Sequence, residues 1–239
     1  MIPPEAFFTI HADLPREGPG CAEDVIWACD LAGVARDARI LDAGCGPGAD
    51  IAALLEHAPI GSVLGVDKHA PFIAQARQLY GQEPRVSLHV GDMADADGPF
   101  DFIWCAGALY FLGIETGLEV LRQKLSPGGA IAFSHLVYTV DAPDPEAQAA
   151  LQAEMPDIDG IPALSVRIRD AGFDLLGQRV LQAKAWAAYY EPMRARFDTL
   201  RSGANAELQS AIAEHEAEIA LYDRIGAQFG YVLSVVRPG

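Results

Sequence analysis

Positive charge is scarce in this chain. Seventeen Lys and Arg stand against 33 Asp and Glu, a net charge of −16. Such a field repels phosphate backbones and anionic membrane surfaces, which argues against a nucleic-acid or membrane partner and for a small-molecule one. The nearest basic grouping, Arg194, Arg196 and Arg201, reads as the solvated face of a helix. Cysteine is also sparse. Cys21, Cys29, Cys45 and Cys105 form no C-x-x-C pair and match no zinc-site or disulfide spacing. A reducing, cytoplasmic setting is expected. No run of 18 or more apolar residues occurs, and Met1-Ile-Pro-Pro-Glu5 has no basic segment followed by an apolar one, so neither a membrane span nor a secretory signal is expected. His, Cys and carboxylates show no clustered ligand spacing, so no metal is implied. What is present is a chain of 239 residues, 51% apolar, enough for one well-buried domain or one domain with a cap.

From residue 39 strand-like and helix-like segments alternate. Strands are predicted over Arg39–Ala43, Ser62–Val66, Val86–Val90, Phe100–Cys105 and Ala130–Leu136, with helices over Gly48–His57, Ala70–Tyr80 and Ile114–Leu125. Short apolar runs of this kind suit strands covered on both faces, hence an α/β, Rossmann-like, doubly wound parallel sheet that takes ligands at its carboxyl edge. Ser126-Pro-Gly-Gly129 reads as a tight turn. Further on, Glu146–Glu154 and Pro162–Ala171 read as helices, and Asp174–Leu181 and Phe229–Val236 as strands. The 47 residues at 182–228 separate those two strands, where a hairpin needs only a few. Asn205 looks like an N-cap there, followed by Leu208, Ile212, His215, Ile219 and Tyr222 at helical spacing. The chain thus reads as a single domain over 1–239, with a cofactor-binding core at 36–137 and a small helical cap from 1–35, 138–160 and 183–226.

The chemistry concentrates at the strand ends. Ile40-Leu-Asp-Ala-Gly-Cys-Gly-Pro-Gly48 runs from a buried strand through a glycine turn, with Asp42 just ahead of it. Glycines there let backbone approach a nucleotide-type cofactor. The same residues satisfy a dinucleotide fingerprint, so the turn alone leaves NAD open beside S-adenosylmethionine. Asp67 closes the second strand, placed to accept from ribose hydroxyls. Asp92 closes the third, placed to accept from an adenine amino group while Met93 packs on the ring. Three successive acidic strand ends suit one adenosine and one ammonium, whereas a pyrophosphate would sit badly beside Asp42. No Tyr-x-x-x-Lys pair occurs.

With these motifs in order, the chain resembles the class I S-adenosylmethionine-dependent methyltransferases. Ile40–Gly48 corresponds to their first motif, Gly65-Val-Asp67 to the second, Val90-Gly-Asp-Met93 to the third, Phe100-Asp-Phe-Ile-Trp104 to the fourth, and Leu125-Ser-Pro-Gly-Gly-Ala130 to the turn before strand five. The outer segments Arg16–Gly20, Gly107–Tyr110, Ala185–Tyr190 and Gly230–Leu233 resemble a bacterial branch acting on small molecules. The resemblance implies a seven-stranded sheet with an antiparallel last strand, S-adenosylmethionine as cofactor, and methyl transfer to a small metabolite. The alternative is a silent S-adenosylmethionine-binding regulatory or scaffold protein, with an NAD-dependent oxidoreductase behind it. No N/D-P-P-Y/F signature is present; Cys105-Ala-Gly-Ala108 occupies its place.

Cofactor contacts are therefore expected from Asp42, Gly44, Cys45, Gly46, Gly48, Asp67, Lys68, Asp92, Met93 and Ala106. Arg16 is expected either to pair with the cofactor's carboxylate or to form an ion pair with Glu17 or Glu23. Cys45 reads as a packing thiol and Asp101 as structural. His135, at the end of strand five, and Tyr110, beyond strand four, are the candidate catalytic residues. Trp186, Tyr189 and Tyr190 are candidates for an apolar substrate wall or for core. His11 and His57 have no neighbour in sequence that raises them above ordinary histidines.

Overall fold

The computed structural model describes residues 2–239, with the backbone alone at Glu154; Met1, the first residue of the expected cap, lies outside the described residues. Among them a seven-stranded sheet forms from β1 (Arg39–Ala43), β2 (Ser62–Asp67), β3 (Val86–Val90), β4 (Phe100–Cys105), β5 (Leu125–Tyr138), β6 (Phe173–Val180) and β7 (Phe229–Pro238). Their order is β3-β2-β1-β4-β5-β7-β6. β7 runs antiparallel to both of its neighbours, and the other pairings are parallel. The chain leaves β1 toward β2 on one side and returns to β4 on the other, so the crevice beyond the carboxyl ends of β1 and β4 is the topological switch point.

Helices cover both faces because alternate strand residues are apolar on each. Phe102 and Trp104 of β4 pack toward α2 (Ala22–Ala32), α3 (Ile51–His57) and α4 (Ala70–Tyr80). Ile103 and Cys105 face the opposite way, toward α5 (Ile114–Arg122) and α7 (Ile161–Asp170). A third cluster joins α1 (Pro4–His11), α6 (Pro145–Glu154), α8 (Ala183–Arg201) and α9 (Ala206–Ile225), through residues such as Ile10, Leu151, Phe197 and Ile219. Asn205 caps α9, its side chain accepting from Leu208 N at 2.9 Å. No helix among the described residues is long and apolar enough to cross a membrane.

Three local expectations change. α3 starts at Ile51 rather than Gly48, after a turn closed by Gly48 N donating to Cys45 O at 2.9 Å. Ser126–Gly129 bulges out of a continuous β5, since Leu125 already pairs with Phe100 and Ala130 with Phe102. Segment 1–35 divides: α1 joins α8 and α9, whereas α2 buries Val25, Ala28 and Cys29 on the sheet side, where its apolar stripe meets α3 and β7.

Candidate active site

The register Asp42↔Gly65 and Ala43↔Val66 sets the ends of β1 and β2 side by side. Gly44 N and Cys45 N then donate to Val66 O at 2.8 and 3.1 Å, folding the glycine turn across β2. Gly44 has φ +75°, and a Cβ on it would lie 2.5 Å from the Ala108 Cβ; only glycine fits. Beside this turn opens a cavity of about 470 Å³. Arg16, Asp42, Gly44, Cys45, Gly46, Asp67, Lys68, Asp92, Met93, Ala106 and Tyr110 all border it.

Its carboxylates are differently held. Asp67 accepts from Gly46 N through Oδ2 at 2.9 Å and from His69 N through Oδ1 at 2.8 Å, which fixes the loop after β2 to the glycine turn. Asp92 accepts from Ala94 N at 2.9 Å and pairs with Lys68 at 2.9 Å; the ammonium holds its carboxyl below the usual range. Asp42 is buried with Oδ2 lacking any partner, and burial, reinforced by Asp50 and Asp67, raises its carboxyl well above the ordinary value. A buried, unpartnered acceptor on a cavity wall suits a ligand that brings its own donor or positive charge. An ammonium on an adenosyl ligand meets that requirement, and the glycine turn leaves room for backbone to reach it. The residues present fit S-adenosylmethionine.

Other expected residues lie elsewhere. Gly48 does not border the cavity: a Cβ there would meet Ile51, Tyr80 and Ala76 at 3.1–3.3 Å, so this glycine lets α3 and α4 pack. Neither expected ion pair of Arg16 forms. Its guanidinium donates to Gly18 O at 2.5 Å and pairs with Asp50 at 3.3 Å. Asp50 went unnoticed in sequence, and it also accepts from Trp104 Nε1 at 2.9 Å. His135 faces away from the cavity, because side chains alternate along β5 and Ser134 takes the cavity side, accepting from Gly107 N at 2.8 Å. Burial among α5 and α7, with Arg167 nearby, lowers the imidazole to about 4. Trp186 stacks on Tyr222 at 4.3 Å and Tyr190 donates to Glu218 at 2.9 Å; with Tyr189 they belong to the cap cluster, not the cavity wall. The aromatic wall comes instead from Phe7 and Phe8 of α1, with Phe72, Phe111 and Tyr231. Phe8 stacks on His69 at 3.7 Å and so ties α1 to the loop after β2. Burial pushes the Cys45 thiol up, which suits packing rather than reactivity. Asp101 accepts from Arg39 N at 2.8 Å, away from the cavity.

One constellation was missed altogether. His11 is buried; its Nδ1 lies 2.6 Å from Glu17 Oε2, and its Nε2 lies 3.2 Å from Nε2 of His215. Glu17 borders the cavity. Only the apolar spacing around His215 hinted at its burial, and nothing local linked it to a residue 204 positions earlier.

Comparison with known proteins agrees with this geometry. A family described as "Methyltransferase domain" matches residues 40–129. A trans-aconitate 2-methyltransferase from Azoarcus sp. (strain BH72) is 30% identical over 200 residues, covering 78% of this chain and 76% of that protein. A malonyl-[acyl-carrier protein] O-methyltransferase from Pseudescherichia vulneris is 31% identical over 127 residues, 53% of this chain and 47% of that one. Among solved structures, a SAM-dependent methyltransferase from Geobacter sulfurreducens in complex with S-adenosylhomocysteine superposes with a TM-score of 0.84 at 20% identity, covering 100% of this chain and 99% of that one. With the ordered motifs, the strand order and a relative matched along most of its length, the chain belongs to the class I S-adenosylmethionine-dependent methyltransferases, enzymes that use S-adenosylmethionine in place of a dinucleotide.

Proposed function

We propose that the methyl acceptor is a small molecule, held between the glycine turn and helix α1. The observation that carries this reading is the cavity itself. At about 470 Å³, with aromatic walls from α1 and acidic strand ends opposite, it has the size and lining of a small-molecule site. In this reading Asp67 accepts from the ribose hydroxyls and Asp92 and Met93 flank the adenine. Asp42 faces the ammonium, Arg16 the carboxylate, and the turn from Gly44 to Gly46, with Cys45 and Ala106, lies against the amino-acid arm. Lys68 tethers Asp92, and Tyr110, at the cavity mouth, orients the acceptor. The cofactor supplies a methyl group already activated on a sulfonium, so the protein's own contribution is alignment and exclusion of water.

Incubating the protein with methyl-labelled S-adenosylmethionine and a fractionated metabolite extract tests the acceptor class. Label is expected in a low-molecular-weight fraction. Label confined to added protein or nucleic acid would overturn the reading.

A further inference from the structure

Glu17, His11 and His215 form a line of hydrogen bonds: one end is a backbone carbonyl, the other the buried, unpartnered oxygen of a carboxylate whose side chain borders the cavity. His215 Nδ1 donates to Ala211 O at 2.8 Å, since a carbonyl can only accept. The contact between the two Nε2 atoms, 3.2 Å, needs one proton between them. So does the 2.6 Å contact of His11 Nδ1 with Glu17 Oε2. Three hydrogen bonds require three protons, and two neutral imidazoles supply two. The third offsets the charge of the Glu17 carboxylate, and the cluster is uncharged as a whole. That proton can rest at Glu17 or at His11, with only a short shift between them, because burial disfavours a charged His215. Phe7 stacks on His11 at 3.9 Å and fixes the ring.

The remaining oxygen, Glu17 Oε1, is buried and has no partner. It belongs to a side chain that borders the cavity and packs against the glycine turn, where a Cβ on Gly46 would lie 3.3 Å from Glu17 Cγ. Burial raises the Glu17 carboxyl above its ordinary value, despite the hydrogen bond from His11, which makes it a stronger base than a solvated glutamate. The rest of the wall narrows what can approach. Arg16 and Lys68 are its cationic side chains, the first bound to Asp50 and the second to Asp92. A carboxylate acceptor would carry no proton to give up and would meet this acidic wall.

From this arrangement, and resting on the reading of the cavity as the acceptor site, we infer that Glu17 is the catalytic proton acceptor for a hydroxyl- or amine-bearing substrate, with His11 and His215 as positioning residues behind it. During transfer the acceptor's oxygen or nitrogen forms a bond to the methyl carbon, the methyl–sulfur bond breaks with its electron pair remaining on sulfur, and the acceptor's proton passes to Glu17 Oε1. The positive charge that leaves the sulfonium reappears on the Glu17–His11 pair, where His215 and the backbone carbonyl of Ala211 disperse it. The substrate class therefore differs from the tricarboxylate in the name of the Azoarcus relative.

The test combines three measurements on the full chain, wild type and Glu17→Gln, with melting temperature as the check on folding. Calorimetry with S-adenosylhomocysteine comes first: wild-type binding tests the cofactor site alone, and Glu17→Gln should bind within about threefold of it. A tenfold or greater loss in the variant would make Glu17 a cofactor ligand and overturn the inference. Nitrogen-15 spectra of the histidine rings come second and need no substrate. His215 should be protonated at Nδ1, and His11 should be protonated at Nε2 and share a proton at Nδ1, the shared proton disappearing in Glu17→Gln. A bare His215 Nδ1 in the wild type, or His11 ring signals unchanged in Glu17→Gln, would overturn it. Turnover of labelled S-adenosylmethionine comes third, with a panel of phenols, aliphatic alcohols, aryl amines and alkyl amines set against trans-aconitate. Methylation is expected among the hydroxyl and amine compounds, falling by about 10²- to 10⁴-fold in Glu17→Gln. His11→Asn and His215→Asn should move the acid limb of the kcat profile, on which Asp67 and Tyr189 beside Glu17 and Glu214 and Glu218 beside His215 also act. Methylation of trans-aconitate alone, or full activity of Glu17→Gln, would overturn the inference.

Discussion

Replacing Asp67 by alanine probes two tasks, the loop contacts this carboxylate makes and the ribose contact proposed for it. In the folded chain it accepts from Gly46 N at 2.9 Å and from His69 N at 2.8 Å, and its free lone pairs face the cavity where a ribose would lie. A hydrogen bond to a charged group contributes about 1.5–3 kcal/mol, so losing the ribose contact should raise the dissociation constant for S-adenosylhomocysteine by about 10- to 150-fold. Losing the two backbone contacts should lower the melting temperature as well. Asp67 is half-buried, so water reaches the freed Gly46 and His69 amides, and the cost should stay near the lower end of about 1–3 kcal/mol for each unsatisfied donor. Asp67→Asn sharpens the comparison, because an amide presents one oxygen and one NH₂ to two backbone donors; one of the two contacts becomes donor against donor. Calorimetry reports the first effect, and thermal melting without ligand the second. If Asp67→Ala binds S-adenosylhomocysteine within twofold of wild type while melting normally, the assignment of Asp67 to the ribose fails, and with it the orientation of the cofactor along β1 and β2.

Gly44→Ala should abolish cofactor binding and lower the melting temperature, because its Cβ would meet that of Ala108 at 2.5 Å in a left-handed backbone; unchanged melting in circular dichroism would refute this. His135→Gln should leave turnover intact, since the ring faces α5 and α7. The same residue has a pH signature. Its folded-state value of about 4 lies below the ordinary 6.5, so the unfolded chain takes up the proton first, and wild-type stability should fall between pH 6.5 and pH 4. The loss should be on the order of 3 kcal/mol and smaller in His135→Gln, as read from melting curves across that range. Finally, S-adenosylhomocysteine should slow amide exchange in residues 5–18 as well as at the glycine turn, because Phe8 on His69 and Glu17 on Gly46 tie α1 to the cofactor cavity; protection of the turn alone would reduce α1 to a tether.

The strands nearest the cofactor were legible because their signal is local. β1, β2, β3 and β4 each read as a short, mainly apolar run bounded by turn residues, and Asp42, Asp67 and Asp92 lie where the first three of those runs stop. What escaped the sequence depends on orientation or on distance. Alternation along β5 says that Ser134 and His135 face opposite sides, but only the packing of α5 and α7 decides which side holds the cavity. Gly48 has a sharp-turn signature whether it touches a ligand or, as here, the neighbouring helix. Trp186 and Tyr190 look equally suited to a pocket or a core, and α9 supplies the partners that make them core. The Glu17–His11–His215 line joins the first helix to the ninth, a contact with no local signature at all.

The position of β7 has a consequence for biosynthesis. This last strand is not at the margin of the sheet; it lies between β5 and β6, and β6 touches the sheet only through it. Ribosomes deliver β1 to β5, and with them the glycine turn and the acidic strand ends, well before residue 238. Until that residue emerges, β6 has no partner strand, and β5 exposes the backbone edge that β7 will occupy. The nascent chain therefore carries an unfinished sheet until β7 emerges, and that strand acts as the keystone. A chain cut before β7, by premature termination or by proteolysis, would leave β6 without its partner strand and the β5 edge open to chaperones or aggregation.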